Sequence, residues 1–169
     1  MKKLSCVMAA FIVFILQSAV FPFMFNGVSQ PNLIFVFVVL MALHHGQRIG
    51  VTTALLGGFC QDVIIGNFFG LHLLPYIIIA CICSYIGRDI DKDQWILTLL
   101  VVLAMTEICL VINCVILFMS GQYIHIMAYL FTYSIPMLIY HGILALPIDH
   151  IVWRMRREDT FYGYKGYRW

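Results

Sequence analysis

The sequence predicts an all-α, polytopic membrane protein of six transmembrane helices packed as a compact bundle. Of the 169 residues, 63% are hydrophobic and only 11% are charged, and the mean hydropathy is +0.96. A soluble domain has a much more polar balance. The hydrophobic residues form six runs, most of them close to the ~20 residues that a helix needs to cross a bilayer. Little of the chain remains for a domain outside the membrane.

The distribution of basic residues predicts the orientation of these helices. The connections at residues 25–30, 65–69 and 120–123 contain no Lys or Arg. Basic residues near the ends of membrane helices are retained in the cytoplasm. Both termini are therefore expected in the cytoplasm, with three short turns outside an inner (plasma) membrane. The ten basic residues lie at the other ends of the runs: Lys2, Lys3, Arg48, Arg88, Lys92, Arg154, Arg156, Arg157, Lys165 and Arg168.

The first segment is predicted from Leu4 to Phe25. Two lysines followed by an apolar run also describe a secretory signal peptide, with cleavage near Ala19. Because the run continues to Phe25 without a polar stop, we favour a retained first helix.

The second and third segments, Leu33 to Leu43 and Ile49 to Ile65, are only marginally long. A polar turn from His44 to Arg48 separates them. We interpret both as full helices, because removing the pair would leave Arg48 outside and break the charge pattern. A short re-entrant pair, covered by protein, is the alternative.

The remaining segments run from Leu71 to Ile86, from Gln94 to Met119 and from Ile124 to Trp153. Residues 1–155 are thus expected to form a single transmembrane domain. Residues 156–169 form a short basic and aromatic tail, predicted to be cytoplasmic and either disordered or placed on the inner leaflet.

Two acidic residues, Asp62 and Glu107, lie within predicted helices. A carboxylate inside a bilayer is costly and usually faces a bundle interior, a cavity or a polar partner. At ~1.5 Å per residue, each lies ~20 Å from the cytoplasmic end of its helix. They are interpreted as a polar clamp between helices or to a partner subunit; a proton or solute path normally needs more ionisable groups in series. Without basic residues at this depth, they must be protonated, hydrated or hydrogen-bonded to groups such as Gln61, Asn67, Thr106 or Asn113.

Glycines are concentrated in the third segment and the following turn. Gly57 and Gly58 permit close approach of helices in lipid. Gly66 and Gly70 suit a tight external turn because they tolerate positive φ. We expect these glycines and Asp62 to stabilise the third and fourth segments as a unit.

Catalytic and cofactor chemistry find no support in the sequence. No nucleophile and base pair, zinc-binding helix or paired-carboxylate motif occurs, and the external turns are too short for a catalytic domain. The six cysteines lie in apolar segments, where thiols usually behave as small apolar groups. The expected protein is not an enzyme and has no cofactor and no metal. Its basic residues form no stripe that would bind nucleic acid.

A resemblance to a known family is carried mainly by residues 30–74. Pro31 and Asn32 open a short apolar run, Gly46 to Gly50 forms a turn, and Gly57 to Asp62 precedes the stretch from Gly66 to Leu73. The chain resembles the rod shape-determining protein MreD family over nearly its whole length, in these motifs, in its size and in its basic tail. Many members carry Asp where this chain has Asn32.

The resemblance implies a non-catalytic membrane subunit of the bacterial elongation (rod) complex. Such a subunit binds the bitopic protein MreC and, directly or through it, supports a SEDS-type glycosyltransferase and a penicillin-binding transpeptidase along MreB filaments. It would thereby help maintain cell shape during peptidoglycan synthesis. The candidate structural or partner-interaction residues are Pro31, Asn32, Gly57, Gly58, Asp62, Gly66, Gly70 and Glu107.

The alternative function is that of a substrate-binding membrane subunit in a small-solute, vitamin-type transporter. MreD-like chains are similar in size and topology to the S-component fold of energy-coupling-factor transporters, but a shared fold does not assign function. A binding subunit needs a pocket lined by several polar groups. The sequence offers few such groups, so the cell-shape interpretation is preferred. The polar residues that could line such a pocket are Gln61, Asp62, Asn67, Glu107 and Asn113.

Overall fold

The computed structural model describes residues 2–25, 30–64, 69–88, 90, 94–121 and 126–160, and the regular structure in these ranges is entirely helical. The first three elements follow one another without a break. The described residues therefore form six continuous helical segments, which confirms the predicted all-α class and the number of helices. The elements are α1 (Lys2–Ile15), a π-helical turn (Leu16–Val20), α2 (Phe21–Phe25), α3 (Leu33–His45), α4 (Gln47–Ile64), α5 (Leu73–Ile86), α6 (Trp95–Met119) and α7 (Ile126–Thr160).

The π-helical turn in the first segment ends at Val20, two residues before Pro22. Proline lacks an N–H group, and its ring clashes with the carbonyl four residues earlier in an α-helix. Here the chain widens, and the Phe21 N–H donates to the carbonyl of Leu16, five residues back. Within this turn Gln17 is buried, although Leu16 and Val20 are exposed. The widened turn thus places a polar side chain inside the bundle.

Helix α3 is the centre of the bundle. Every residue from Leu33 to His44 is buried. A helix that is hydrophobic on all sides suits either a protein core or a membrane span, and here α3 packs against α1, α4, α5, α6 and α7. The surrounding helices contribute Ala54, Tyr76, Ile79, Val102 and Val152 to the same core.

A single residue joins α3 to α4. The structure places His44 and His45 at the end of α3 and Gln47 and Arg48 at the start of α4, so the connection is shorter than the predicted polar turn. Gly46 between them has φ 82° and ψ −176°, a backbone region that essentially only glycine adopts. The helices can therefore reverse direction without a loop.

Glycines bring α3, α4 and α5 into close contact. A Cβ atom on Gly50 would lie 2.6 Å from Cα of Ala42, and one on Gly58 would lie 2.7 Å from Cα of Leu73. One on Gly87, after α5, would overlap the carbonyl of Leu43. These contacts show the close packing that small residues permit between membrane helices.

The helices differ in their suitability for crossing a membrane. Three stretches are long and apolar enough: Val7–Met24, Trp95–Met119 and Met127–Met155. Helices α3 and α5 are shorter apolar helices, each only ~20 Å long, whereas α6 extends ~37 Å. Helix α7 continues through Pro136 and Pro147 to Thr160. Residues 161–169, which make up most of the predicted tail, lie outside the described residues.

Candidate functional site

Asn32 is the centre of a polar network at the end of the bundle where α3 begins, which we call the Asn32 end. It is the N-cap residue of α3, and its Oδ1 accepts a hydrogen bond from the Phe35 N–H at 3.0 Å. Its Nδ2 donates to Oη of Tyr76 on α5 at 2.5 Å. The Tyr76 hydroxyl in turn donates to Oε1 of Gln61 on α4 at 3.0 Å. One side chain therefore links the start of α3 to two neighbouring helices.

His141 extends this network to α6 and α7. The Asn32 N–H donates to Nε2 of His141 at 3.2 Å, so this nitrogen carries the lone pair. The proton is then on Nδ1, which donates to Oγ1 of Thr106 at 2.9 Å. The Thr106 hydroxyl donates to the carbonyl of Val102 at 2.8 Å. Every donor has an acceptor when the buried imidazole is neutral, and a face-to-face contact with Phe35 at 5.3 Å further fixes the ring.

Gln17 completes the capping of α3 from the first helical segment. Its Oε1 accepts a hydrogen bond from the Leu33 N–H at 2.7 Å. The first N–H groups of a helix have no acceptor within the helix, and leaving them unpaired in an apolar environment is costly. Side chains from three parts of the chain satisfy them here. We call this set the Asn32 network: Gln17, Asn32, Gln61, Tyr76, Thr106 and His141.

Asp62 performs the corresponding capping role for α5. Its Oδ2 accepts hydrogen bonds from the N–H groups of Gly70 at 2.8 Å and Leu73 at 3.1 Å. Its Oδ1 accepts from the His72 N–H at 2.8 Å and lies 2.9 Å from Nδ1 of the same residue. The side chain is fully buried. A carboxylate at a helix N-terminus is favourable because the N–H groups and the helix dipole both point toward it.

Glu107 lies in a different environment, at the centre of the 25-residue α6. It is half-buried, and Ser134 of α7 donates to its Oε1 at 2.5 Å. The partners suggested by the sequence were different for both acids: within the described ranges, neither bonds to Gln61, Thr106 or Asn113. Backbone N–H groups at a helix start are dense, fixed donors, which explains their preference as partners of Asp62.

A second polar contact lies at the opposite end of the bundle, where α3 ends. Nε2 of His44 lies 2.6 Å from Oδ1 of Asp149 on α7, and its ring meets Trp153 edge-on at 5.1 Å. His44 is buried in α3 and does not belong to an exposed turn as the sequence suggested. This contact fixes the end of α3 against α7.

Comparison with known proteins identifies the family. The family model described as rod shape-determining protein MreD matches residues 2–156. The chain belongs to the MreD family. Neither the curated proteins nor the solved structures gave a match. The family and the three long apolar helices make this chain a rod-shape-determining membrane protein.

The MreD-family chain places most of its predicted site residues around the two capping networks. Pro31 is buried directly before Asn32, and Gly58 lies against the start of α5. A Cβ on Gly57 would meet Ile34 at 2.8 Å, and Gly70, with φ 102°, donates to Asp62. Gly66 and its neighbour Asn67 lie outside the described residues. Glu107 belongs to neither network.

Sequence reasoning missed three members of the Asn32 network in this MreD-family chain: Gln17, Tyr76 and His141. Each is a polar residue inside an otherwise apolar run. Such a residue needs a polar partner in the membrane, and this requirement could have identified it from the sequence. In the described part of the chain, no group of three or more His, Cys, Asp or Glu side chains comes close enough to hold a metal ion. The polar groups at the Asn32 end instead bond to one another and to helix starts.

Proposed function

We propose that this protein is a non-catalytic, multi-pass subunit of the bacterial inner membrane that helps maintain rod shape by associating with other membrane proteins of the elongation complex. The observation that carries the proposal is the MreD family match over residues 2–156. The expected partners are an MreC-like bitopic protein and, directly or through it, a SEDS-type glycosyltransferase and a penicillin-binding transpeptidase.

The polar side chains bond within the bundle and leave apolar outer surfaces, which supports association with other membrane proteins. Gln17, Asn32 and Asp62 accept hydrogen bonds from N–H groups at helix starts. The other polar side chains of the Asn32 network bond to Asn32, to one another or to the Val102 carbonyl. Large apolar side chains are exposed along the first helix, α6 and α7, for example Phe11, Val111 and Phe131. A bundle with an internally satisfied core and long apolar outer surfaces is suited to lateral contacts with lipid and with other membrane helices.

We further propose that the Asn32 end faces the periplasm and the opposite end faces the cytoplasm. Arg48 lies at the start of α4, Arg88 follows α5, and Arg154 lies in the last part of α7. All three are on the side where α3 ends. Retention of basic residues in the cytoplasm favours this orientation, with both termini inside.

The transport alternative is not favoured by the geometry. A polar pocket for a solute needs side chains with free hydrogen-bonding groups. Gln61 accepts from Tyr76, and Asp62 receives bonds on both oxygens from the start of α5. These residues hold the bundle together and are poorly placed to bind a solute as well.

Mild solubilisation of a C-terminally tagged protein from its native membrane, followed by mass spectrometry, tests the function. We expect recovery of a bitopic coiled-coil protein together with peptidoglycan synthases. A tagged six-helix membrane protein from another family, expressed at the same level, controls for non-specific recovery. Recovery of an ATPase pair with a coupling membrane protein would contradict the proposal and favour solute uptake.

A further inference from the structure

The two intramembrane acids differ in how their carboxyl oxygens are satisfied. Asp62 is fully buried, and N–H groups donate to both of its oxygens. Glu107 is half-buried and receives one hydroxyl bond, from Ser134 to Oε1. No described residue donates a hydrogen bond to its Oε2. Both oxygens of Asp62 thus accept hydrogen bonds from this chain, whereas Oε2 of Glu107 can still accept one from a further donor.

The depth of Glu107 in the membrane makes an unpaired Oε2 atom costly. It is the central residue of α6, which is long and apolar enough to cross the membrane. Acidic groups near the bilayer centre are stabilised by polar partners or by water, because lipid chains supply no hydrogen bonds. No Lys or Arg lies within α6. Arg88 and Lys92 precede this helix in the sequence, and the next basic residue after it is Arg154, in the last part of α7. Because Ser134 is the one described residue that donates to Glu107, we look to a partner protein for a second donor.

Glu107 also lies in the middle of an exposed stripe on α6. Its neighbours on this stripe are spaced four, three, four, four and three residues apart, as in the seam of a helix pair. Ala104, one turn away, is small and exposed, which permits close approach of a second backbone. We call this surface the Glu107 stripe: Leu100, Ala104, Glu107, Val111, Val115 and Phe118.

We propose that the Glu107 stripe is the docking surface for a transmembrane helix of a partner protein that presents a hydroxyl, amide or basic side chain to Glu107. The apolar residues of the stripe pack along the partner helix, and the donor satisfies the carboxyl group at mid-membrane. This inference rests on the proposed function, because it assigns a surface to one of the associations proposed above.

A second copy of the chain fits this surface less well. A two-fold dimer places the same patch of both subunits face to face. Two parallel α6 helices would then bring Glu107 opposite Glu107 at the same depth, where neither side chain has a donor unless one of them is protonated, whereas a hydroxyl, amide or basic side chain always carries a donor. Hydrogen-bond complementarity therefore favours a different protein with a donor.

Photo-crosslinking in native membranes tests the surface. A photoreactive amino acid is placed at Val111 or Val115 on the stripe and, as matched controls, at Leu56 on α4 or Ile78 on α5, which are also exposed. We expect the stripe positions to capture a membrane-spanning helix that carries a donor side chain and the control positions to capture none of it. Capture of a second copy of this chain, or equal capture from the control positions, would overturn the proposal.

Substitutions separate an intermolecular role of Glu107 from an internal one. Glu107→Leu should reduce the crosslinked fraction about tenfold, the loss expected for one buried hydrogen bond to a carboxyl group. Glu107→Gln, which keeps an acceptor, should restore most of it. Ser134→Ala removes only the internal bond and should leave capture nearly unchanged. An equal loss with Ser134→Ala, or full capture with Glu107→Leu, would overturn the proposal.

The result is distinguishable from failure of the proposed function. Each variant is first compared with the unsubstituted protein for its amount in the membrane, so that loss of folding is separated from loss of contact. If Glu107→Leu still co-purifies with the elongation proteins and is captured from α4 instead, the stripe assignment fails while the proposed function stands. If no elongation protein is recovered with any variant, the proposed function itself fails.

Discussion

At the scale of single residues, Gln17, Asn32 and Asp62 lie where a helix start leaves N–H groups without acceptors. Asp62 illustrates the effect most clearly, because one carboxylate accepts from the N–H groups of Gly70, His72 and Leu73. Lipid or apolar protein around these groups cannot replace the lost bonds. The role of Asp62 in this structure is therefore to hold the turn and the start of α5.

Substitution of Asp62 by leucine tests this role. Asp62→Leu would leave three N–H groups unpaired at 1–3 kcal/mol each, so we expect a loss of stability on the order of 3 kcal/mol or more. Accumulation in the membrane and the thermal midpoint in detergent measure it. Val63→Leu, at an exposed position of the same helix, is the control and should change neither quantity. Unchanged levels and unchanged partner recovery with Asp62→Leu would remove the clamp hypothesis.

The residue pairs of the Asn32 network were beyond sequence reasoning for a definite reason. Asn32 and His141 are separated by 109 positions, and their bond depends on how α3 and α7 pack. The acid Asp62, by contrast, was identifiable because any carboxylate within an apolar run requires a partner. The sequence thus indicated which side chains need partners but not which groups serve as partners.

At the scale of elements, the close contact of α4 with the start of α5 depends on a glycine. The absence of a side chain at Gly58 lets the backbone of Leu73 approach, which in turn brings Asp62 within reach of the N–H groups that it caps. Gly58 lies against Leu73, and Gly70 donates to Asp62; that these glycines and Asp62 stabilise the third and fourth segments as a unit stays a prediction.

Adding one methyl group at Gly58 should separate these helices. In Gly58→Ala the new Cβ would lie 2.7 Å from Cα of Leu73, a backbone atom that cannot rotate away. Overpacking of this kind costs about 1–3 kcal/mol, which should lower the thermal midpoint in detergent. Gly142→Ala on α7 is the matched control, because its Cβ would meet Leu103 at an ordinary 3.7 Å. Equal effects of the two changes would show that Gly58 is not a close-packing position.

The ends of the helices were predictable to within two residues, because long apolar runs are a local signal. The exception is α7, which continues seven residues beyond the predicted end at Trp153. The predicted segment from Gln94 to Met119 corresponds to α6, Trp95–Met119. The connection between the second and third segments was predicted less well. Polar residues from His44 to Arg48 suggested a loop, but His44 is drawn into the core by Asp149, a contact that only the folded arrangement supplies.

At the scale of the whole molecule, the bundle is asymmetric in length. The central helices α3 and α5 are ~20 Å long, and the outer helices α6 and α7 are far longer. Short helices inside a bilayer need capped ends, because water does not reach their N–H groups as it does at a surface. This difference explains why both polar networks lie at the starts of the short helices α3 and α5.

The proposed topology makes a prediction that separates six crossings from a re-entrant α3–α4 pair. In the six-crossing topology Gln47 is cytoplasmic and Ser120 is periplasmic, whereas a re-entrant pair would leave both on the periplasmic side. Single cysteines at these two exposed positions, in a background without the native cysteines, can be labelled with a membrane-impermeant maleimide. We expect Ser120→Cys to react in intact cells and Gln47→Cys to react only after permeabilisation. Reaction of Gln47→Cys in intact cells would place the short helices on one side of the membrane and contradict the orientation inferred from the basic residues.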